Sequence, residues 1–155
     1  MKKEAIIFDL DGTIADISHR VHYLKDYENP DGSWNKKSNW SKFHNSISDD
    51  IVVKPIKFML NHLYSNFIDI IILTGRNDSV KKNTVKWLRD NEVSYDHLIM
   101  RPKNDHRSDT VFKLEQLKKL EKNFKIHFIV EDRNRVVKMW RDKGYICLQC
   151  KEGDY

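Results

Sequence analysis

Cysteine is nearly absent, with Cys147 and Cys150 the only two in 155 residues. Their C-x-x-C spacing invites a redox or zinc reading. They lie in "GYICLQC", however, which reads as a strand, and residues three apart on a strand face opposite sides. Two sulfurs also fall short of a four-ligand zinc site, and no second pair exists. Ordinary reduced thiols are the expectation. Long apolar runs are missing too. With 33% charged and 39% hydrophobic residues, the composition excludes a membrane span and argues against wholesale disorder. The opening "MKKEAIIFDLDG" starts like a secretory signal, but Asp9 interrupts its apolar run far too early. A cytoplasmic protein is therefore expected. Neither sign of charge dominates. A net charge of +5 permits an anionic partner without demanding one. There is no internal repeat and no low-complexity tract, and the length suits one domain with a real core.

What is present is organised around "AIIFDLDGTIA", Ala5 to Ala15. Four apolar residues, Ala5 to Phe8, bounded by a turn signal suit a buried strand of a parallel sheet. Asp9 and Asp11 follow at alternate positions, so at a strand end both carboxylates point the same way. In open α/β sheets that direction is the ligand crevice. Two like charges there repel unless a cation or a proton holds them. The plainer alternative is a polar strand end with an Asp-Gly turn, so the decision rests on the remainder of the chain.

Residues 16–50 break the pattern. They contain Pro30, Gly32, Trp34 and Trp40, many polar residues, and short helical-looking pieces such as His19 to Tyr27. The stretch is too long for a plain loop and reads as a small helical insertion with a minor aromatic core. Pro55 fits the first turn of a helix to about Asn66, with Ile56, Met59, Leu60 and Leu63 on one face. "IDIIIL" (Ile68 to Leu73) is a second buried strand ending in Thr74, Gly75 and Arg76. Asp78 is placed to cap the next helix, whose stripe is Val80, Thr84, Trp87 and Leu88, with Asn91 as its C-cap. "HLIM" (His97 to Met100) is a third strand. A polar loop leads to a helix marked by Val111, Leu114, Leu117 and Leu120. Ile126 to Val130 forms a fourth strand ending in Glu131 and Asp132. A helix with Val136, Val137 and Trp140 then leads past Gly144 to a fifth strand, Tyr145 to Cys150. This alternation predicts an α/β fold: a Rossmann-like parallel sheet of about five strands, flanked by helices, with right-handed crossovers.

Four strand ends or nearby loops thus bring functional-looking residues to one edge of one sheet: Asp9 with Asp11, Thr74 with Arg76, Lys113 at a helix start, and Glu131 with Asp132. The order D-x-D-G-T, then a Thr ending a strand, then Lys, then an acid pair resembles the haloacid dehalogenase-like phosphohydrolases over nearly the whole chain. That resemblance implies that Asp9 is a nucleophile forming an aspartyl-phosphate, and Asp11 the general acid and base. It implies Mg²⁺ as cofactor, with Asp9, Asp11, Glu131 and Asp132 as candidate ligands. A Mg²⁺ ion would neutralise crowded carboxylates and an incoming phosphate. Thr74 can hydrogen-bond a phosphoryl oxygen, and Lys113 can pair with it as a point charge. An Asp two residues after the nucleophile favours phosphatase over dehalogenase, because halide needs no proton to leave.

The later blocks, "TGR" with "T-x-x-W-L", "LIMRP-x-x-D-x-R-x-D-x-x-x-K" and "EDRNRVVKMWRDKGYICLQCKEGDY", look like the 3′-phosphatase domain of bacteriophage polynucleotide kinase. By that resemblance Gly12, Thr13, Gly75, Arg76 and Asp109 fall on the substrate side. Arg76 becomes a phosphate clamp, and Asp109 orients Arg76 or Lys113. The implied reaction removes a 3′-phosphate from a DNA or RNA end. The alternatives are a phosphatase of free nucleotides or other small esters, and a catalytically silent nucleic-acid-binding module. Residues 16–50 would be a cap between core segments 1–15 and 51–155, within one domain of 1–155. No G-x-x-x-x-G-K-[ST] occurs, so a 5′-kinase is not encoded here and a separate kinase or ligase is a conceivable partner. The acid pair is Glu131-Asp132 where two aspartates are usual. Trp34, Trp40 and Phe43 either stack on a base or form the insertion's own core. His19 and His22 share a helical face, but a second metal site would need ligands the sequence does not supply. Arg101 to Lys125 carries eight Lys or Arg against four Asp or Glu, which suits either a phosphate backbone or a solvated helix face.

Overall fold

The structure, a computed structural model, describes residues 1–24, 27–28, 34–35, 39–65 and 67–154, with 27–28, 34–35 and Trp40 in backbone course only. Its frame is five strands: β1 (Lys3–Phe8), β2 (Ile68–Asn77), β3 (His97–Arg101), β4 (Phe124–Arg133) and β5 (Cys147–Gly153). They lie side by side in the order β3-β2-β1-β4-β5, and every neighbouring pair is parallel. The first strand is therefore central, and the chain switches direction across the sheet beside it. Ligand crevices form at such a point, outside the strands' carboxyl ends.

Alternation along β1 divides the interior in two. Ile6 and Phe8 join Ile70, Ile72, Leu60, Trp87 and Leu88 on one face. Ala5 and Ile7 join Ile71, Leu73, Phe112, Leu117, Val136, Val137 and Trp140 on the other. A continuous apolar run is what a strand buried on both faces requires. The helices are α1 (Trp40–Asn45), α2 (Lys54–Leu63), α3 (Lys81–Asp90), α4 (Asp109–Leu120) and α5 (Asn134–Asp142). Residues of α2 and α3 pack in the first cluster, and those of α4 and α5 in the second.

Several elements differ from the sequence expectation. Strands β2 and β4 run on through Asn77 and Arg133, so the polar residues after each apolar run stay in the sheet. Strand β5 spans Cys147–Gly153 rather than Tyr145 to Cys150. Asn77, not Asp78, accepts from the backbone N–H of Ser79, and a short 3₁₀ turn precedes α3. Val111 is half exposed, while Phe112 and Lys113 turn inward. The inner face of α4 runs through Asp109, Phe112, Lys113 and Leu117, and hydrophobicity alone could not reveal a face that carries a buried ion pair. Among the described residues of the expected helix from His19 to Tyr27, Val21–Leu24 form a 3₁₀ turn, and Tyr27–Glu28 pairs with Trp34–Asn35.

Residues 16–50 leave and rejoin the body through one neck, where Ala15–Asp16 pairs antiparallel with Ile51–Val52. Phe43 is buried in the first core cluster beneath the Arg20 guanidinium, 4.1 Å from the ring centroid. The side chains of Trp34 and Trp40 lie outside the described residues. Cys147 is buried and Cys150 exposed, both free thiols, as the strand geometry requires. Burial pushes the thiols up to about 12 and about 11. Among the described residues no helix is long and apolar enough to cross a membrane.

Candidate active site

The carboxyl edge of β1 turns sharply after Asp11. Leu10 O accepts from the backbone N–H groups of Thr13, Ile14 and Ala15, and Gly12 N donates to Ala15 O at 2.8 Å. Gly12 takes φ +87°, a conformation that costs glycine little and other residues more. The turn buries Thr13, whose hydroxyl donates to Asp132 Oδ1 at 3.3 Å across from β4. The D-x-D-G-T signature and the acid pair therefore meet directly.

Two buried charge clusters flank this turn. In the first, Lys113 Nζ donates to Asp9 Oδ1 and to Glu131 Oε2, each at 2.7 Å, and stands 3.5 Å from Asp109 Oδ2. All four side chains are buried. Asp109 and Lys113 sit four apart on α4, one turn along the same face. Burial alone would lower the Lys113 pKa, but Asp109, Asp9 and Glu131 together hold it well above the usual lysine range. Asp9 moves the other way: burial, reinforced by the Glu131 charge, pushes it up to about 8.

Asp9, Glu131 and Asp132 each offer an oxygen, all within 4.8 Å of one another. Hard carboxylate oxygens in this number suit Mg²⁺, which binds through a few carboxylates and keeps waters. A carboxyl forced toward its neutral form by burial and like charge is also what a divalent cation would return to the ionised state. The donor set fits the ion. Asp11, expected beside these three, is directed elsewhere in this structure.

Asp11 belongs to the second cluster. Arg76 donates to it from Nε at 3.2 Å and from Nη2, and Arg20 Nη2 donates to it at 2.7 Å. Asp50 closes the group, accepting from Arg20 Nε and Nη2, both at 2.6 Å, and from Arg76 Nη2 at 3.1 Å. Burial alone would raise Asp11, but Arg76 and Arg20 outweigh it and hold the carboxyl well below the usual range. Arg76 also donates to Thr84 Oγ1 at 3.2 Å, so the polar member of the α3 stripe supports the guanidinium. Trp87 Nε1 donates to Asp50 O at 2.9 Å. Arg20 and Asp50 escaped the sequence reading. Each is a lone charge among many in a polar insertion, and only the neck brings them together.

Thr74 is buried, and its hydroxyl accepts from Arg76 N at 3.0 Å. Gly75 lies so close to Asp109 that a Cβ would collide with its Oδ1. Asp109 meets Lys113, Arg101 at 2.8 Å and Arg133 at 3.3 Å, rather than Arg76. A cavity of about 600 Å³ lies over these groups, lined at its floor by Asp9, Asp11, Thr74, Arg76 and Lys113. Its walls bring Lys103, Arg107, Arg133 and Arg135 from the core, and Phe43 and His44 from the insertion. Glu131 lines it as well, whereas Asp132 and Thr13 do not.

Sheet order, central aspartates and buried lysine together define a haloacid dehalogenase-like phosphatase, a class of phosphoric monoester hydrolases. The chain belongs to the polynucleotide kinase PNKP phosphatase domain family, whose match spans residues 29–155. That span holds Thr74, Arg76, Asp109, Lys113 and the acid pair, while Asp9 and Asp11 precede it. In the structure of a Pnkp1/Rnl/Hen1 complex, a chain 28% identical superposes with a TM-score of 0.79 over 99% of this chain. This chain spans 47% of that one, less than half its length. A class C acid phosphatase from Bacillus anthracis with tungstate bound is 20% identical, with a TM-score of 0.61 over 85% of this chain and 53% of its own. A haloacid dehalogenase-like hydrolase from Streptococcus pneumoniae is 19% identical, with a TM-score of 0.61 over 95% and 84%. These last two share the fold.

Proposed function

We propose that this chain is a Mg²⁺-dependent phosphatase that removes the terminal 3′-phosphate from nucleic-acid ends through an aspartyl-phosphate on Asp9. The observation that carries the reading is the cavity: Asp9, Lys113 and Arg76 line it together, and Lys103, Arg107, Arg133 and Arg135 line it as well. Mg²⁺ held by Asp9 and Asp132, with Glu131 beside them, would neutralise charge between nucleophile and phosphate.

An Asp9 oxygen attacks phosphorus and the ester P–O bond breaks, while Thr74 and Lys113 stabilise the phosphoryl oxygens. Arg76 pairs with the incoming phosphate, which loosens its hold on Asp11 and raises that carboxyl's proton affinity. Asp11 takes up a proton from solvent as that hold loosens, and passes it to the leaving sugar oxygen. Next it takes a proton from water as the water attacks phosphorus, releasing phosphate and restoring Asp9. Residues 16–50 act as a cap, their Phe43 and His44 facing the basic loop 101–108 across the cavity. The likeness to a chain, 29% identical, of a Pnkp1/Rnl/Hen1 RNA repair complex supports RNA ends as the substrate, and a kinase or ligase as partner.

The test compares kcat/KM for mono-, di- and hexanucleotide 3′-phosphates at two salt concentrations. Remote contacts should raise kcat/KM with length. The gain should shrink as salt rises, because phosphate contacts release counterions. A monotonic fall with length would leave a phosphatase of free nucleotides or small esters. No release from any of them would leave a silent binding module.

A further inference from the structure

We propose that Arg101 is a positioning residue that sets Gly75 and Asp109, and through Asp109 the Lys113 ammonium. The inference rests on the reading above, in which Thr74, Arg76 and Lys113 handle the phosphate. Strands β2 and β3 pair in register to Thr74 and Met100, and then the register jumps to Asn77 and Arg101. Gly75 and Arg76 are thus extra on β2, a bulge that aims side chains at the cost of regular pairing. Arg101 fills the gap, donating from Nε to Gly75 O at 3.1 Å.

The same guanidinium donates from Nη2 to Asp109 Oδ1 at 2.8 Å and from Nη1 to Arg107 O at 2.5 Å. It lies 5.0 Å from the centroid of the Phe112 ring, and its side chain is 14% exposed. One planar fork therefore joins the Thr74–Arg76 bulge, the loop before α4 and the first turn of α4. Lysine, a single point charge on a flexible stem, cannot hold three acceptors in fixed directions. The other Asp109 oxygen faces Lys113 and Arg133. Without Arg101, Asp109 is free to rotate toward those cations and draw Lys113 from Asp9, while the bulge loses its tether. Arg101 reaches the cavity wall, but its guanidinium hydrogen bonds go to Gly75, Arg107 and Asp109, and it acts through them.

The test measures phosphate release from p-nitrophenyl phosphate and from a hexanucleotide 3′-phosphate. Wild type, Arg101→Lys and Arg101→Ala are compared, each with its melting temperature and with guanidinium added. Loss of a positioning partner typically costs about 10–100-fold, and kcat should fall by that much on both substrates with KM little changed. Guanidinium should partly restore Arg101→Ala but not Arg101→Lys. If Arg101→Ala does not fold, the same kcat loss in folded Arg101→Lys carries the result. A raised KM with kcat intact, or a loss confined to the hexanucleotide, would make Arg101 a substrate contact and overturn the proposal. Full activity of either variant would overturn it too. A wild type that releases phosphate from neither substrate fails the phosphatase reading itself, and the proposal with it.

Discussion

Lys113 Nζ lies 2.7 Å from Asp9 Oδ1, although 104 residues separate them in the chain. The lysine comes from the first turns of α4, and the aspartate from the end of the central strand. Their meeting joins the sheet's switch point to the cavity and ties the charge state of Asp9 to its neighbours.

Asp9→Asn should reduce phosphate release to background. The amide lacks the nucleophilic oxygen's charge and is a poor metal ligand, whereas its size preserves packing. Circular dichroism should match wild type. If more than about one per cent of activity remained, a loss smaller than a removed nucleophile gives, the covalent route would be wrong.

Asp11→Asn separates the acid role from the nucleophile's. Aryl phosphates leave without help from a proton, whereas a sugar alkoxide does not. The variant should therefore retain far more activity on p-nitrophenyl phosphate than on an oligonucleotide 3′-phosphate. Equal losses on both would show that Asp11 acts mainly by holding Arg20 and Arg76.

Removal of metal should silence the protein. EDTA is expected to abolish phosphate release and Mg²⁺ to restore it, with Ca²⁺ a poor substitute because of its loose, higher coordination. Mg²⁺ should also raise the melting temperature, since a ligand that binds only the folded state stabilises it. That rise should vanish in Asp132→Asn. Full activity in EDTA would dismiss the metal assignment.

The Arg20–Asp50 pair offers a test of stability. Both side chains are fully buried, and among the described residues Arg20→Ala leaves Asp50 and Asp11 sharing the Arg76 guanidinium. Breaking one side of a buried ion pair typically costs about 3–5 kcal/mol. Urea unfolding of Arg20→Ala should show a loss of that order, with the double variant Arg20→Met/Asp50→Leu recovering part of it. A loss below about 1 kcal/mol, the range of surface pairs, would mean that water reaches the cluster.

The local signals in this sequence are strong wherever one segment decides its own fate. Ala5 to Phe8 and Ile70 to Leu73 are buried on both faces, and a continuous apolar run has few other uses. Asp9, Asp11, Thr74, Glu131 and Asp132 each lie at or beside the end of such a run, and Lys113 lies near the start of a helix. The parallel sheet and one edge bearing carboxylates and cations were therefore legible from spacing. What escaped required contacts between distant segments. Arg20 and Asp50 look like any other charges until the Ala15–Asp16 and Ile51–Val52 neck pairs them, with the Arg20 guanidinium over Phe43 and against Asp11. The inner face of α4 is set by Lys113, which is buried because Asp109 on the same helix and Asp9 and Glu131 from two strand ends surround it. Arg101 belonged to a basic stretch that suited either a phosphate backbone or a solvated helix face, and only the fold turns its guanidinium toward Gly75 and Asp109. Hydrophobic burial is written along the chain at a period of two or 3.6 residues, so it can be read there. A buried charge is tolerated only where its partners arrive, and tertiary structure alone decides where that is.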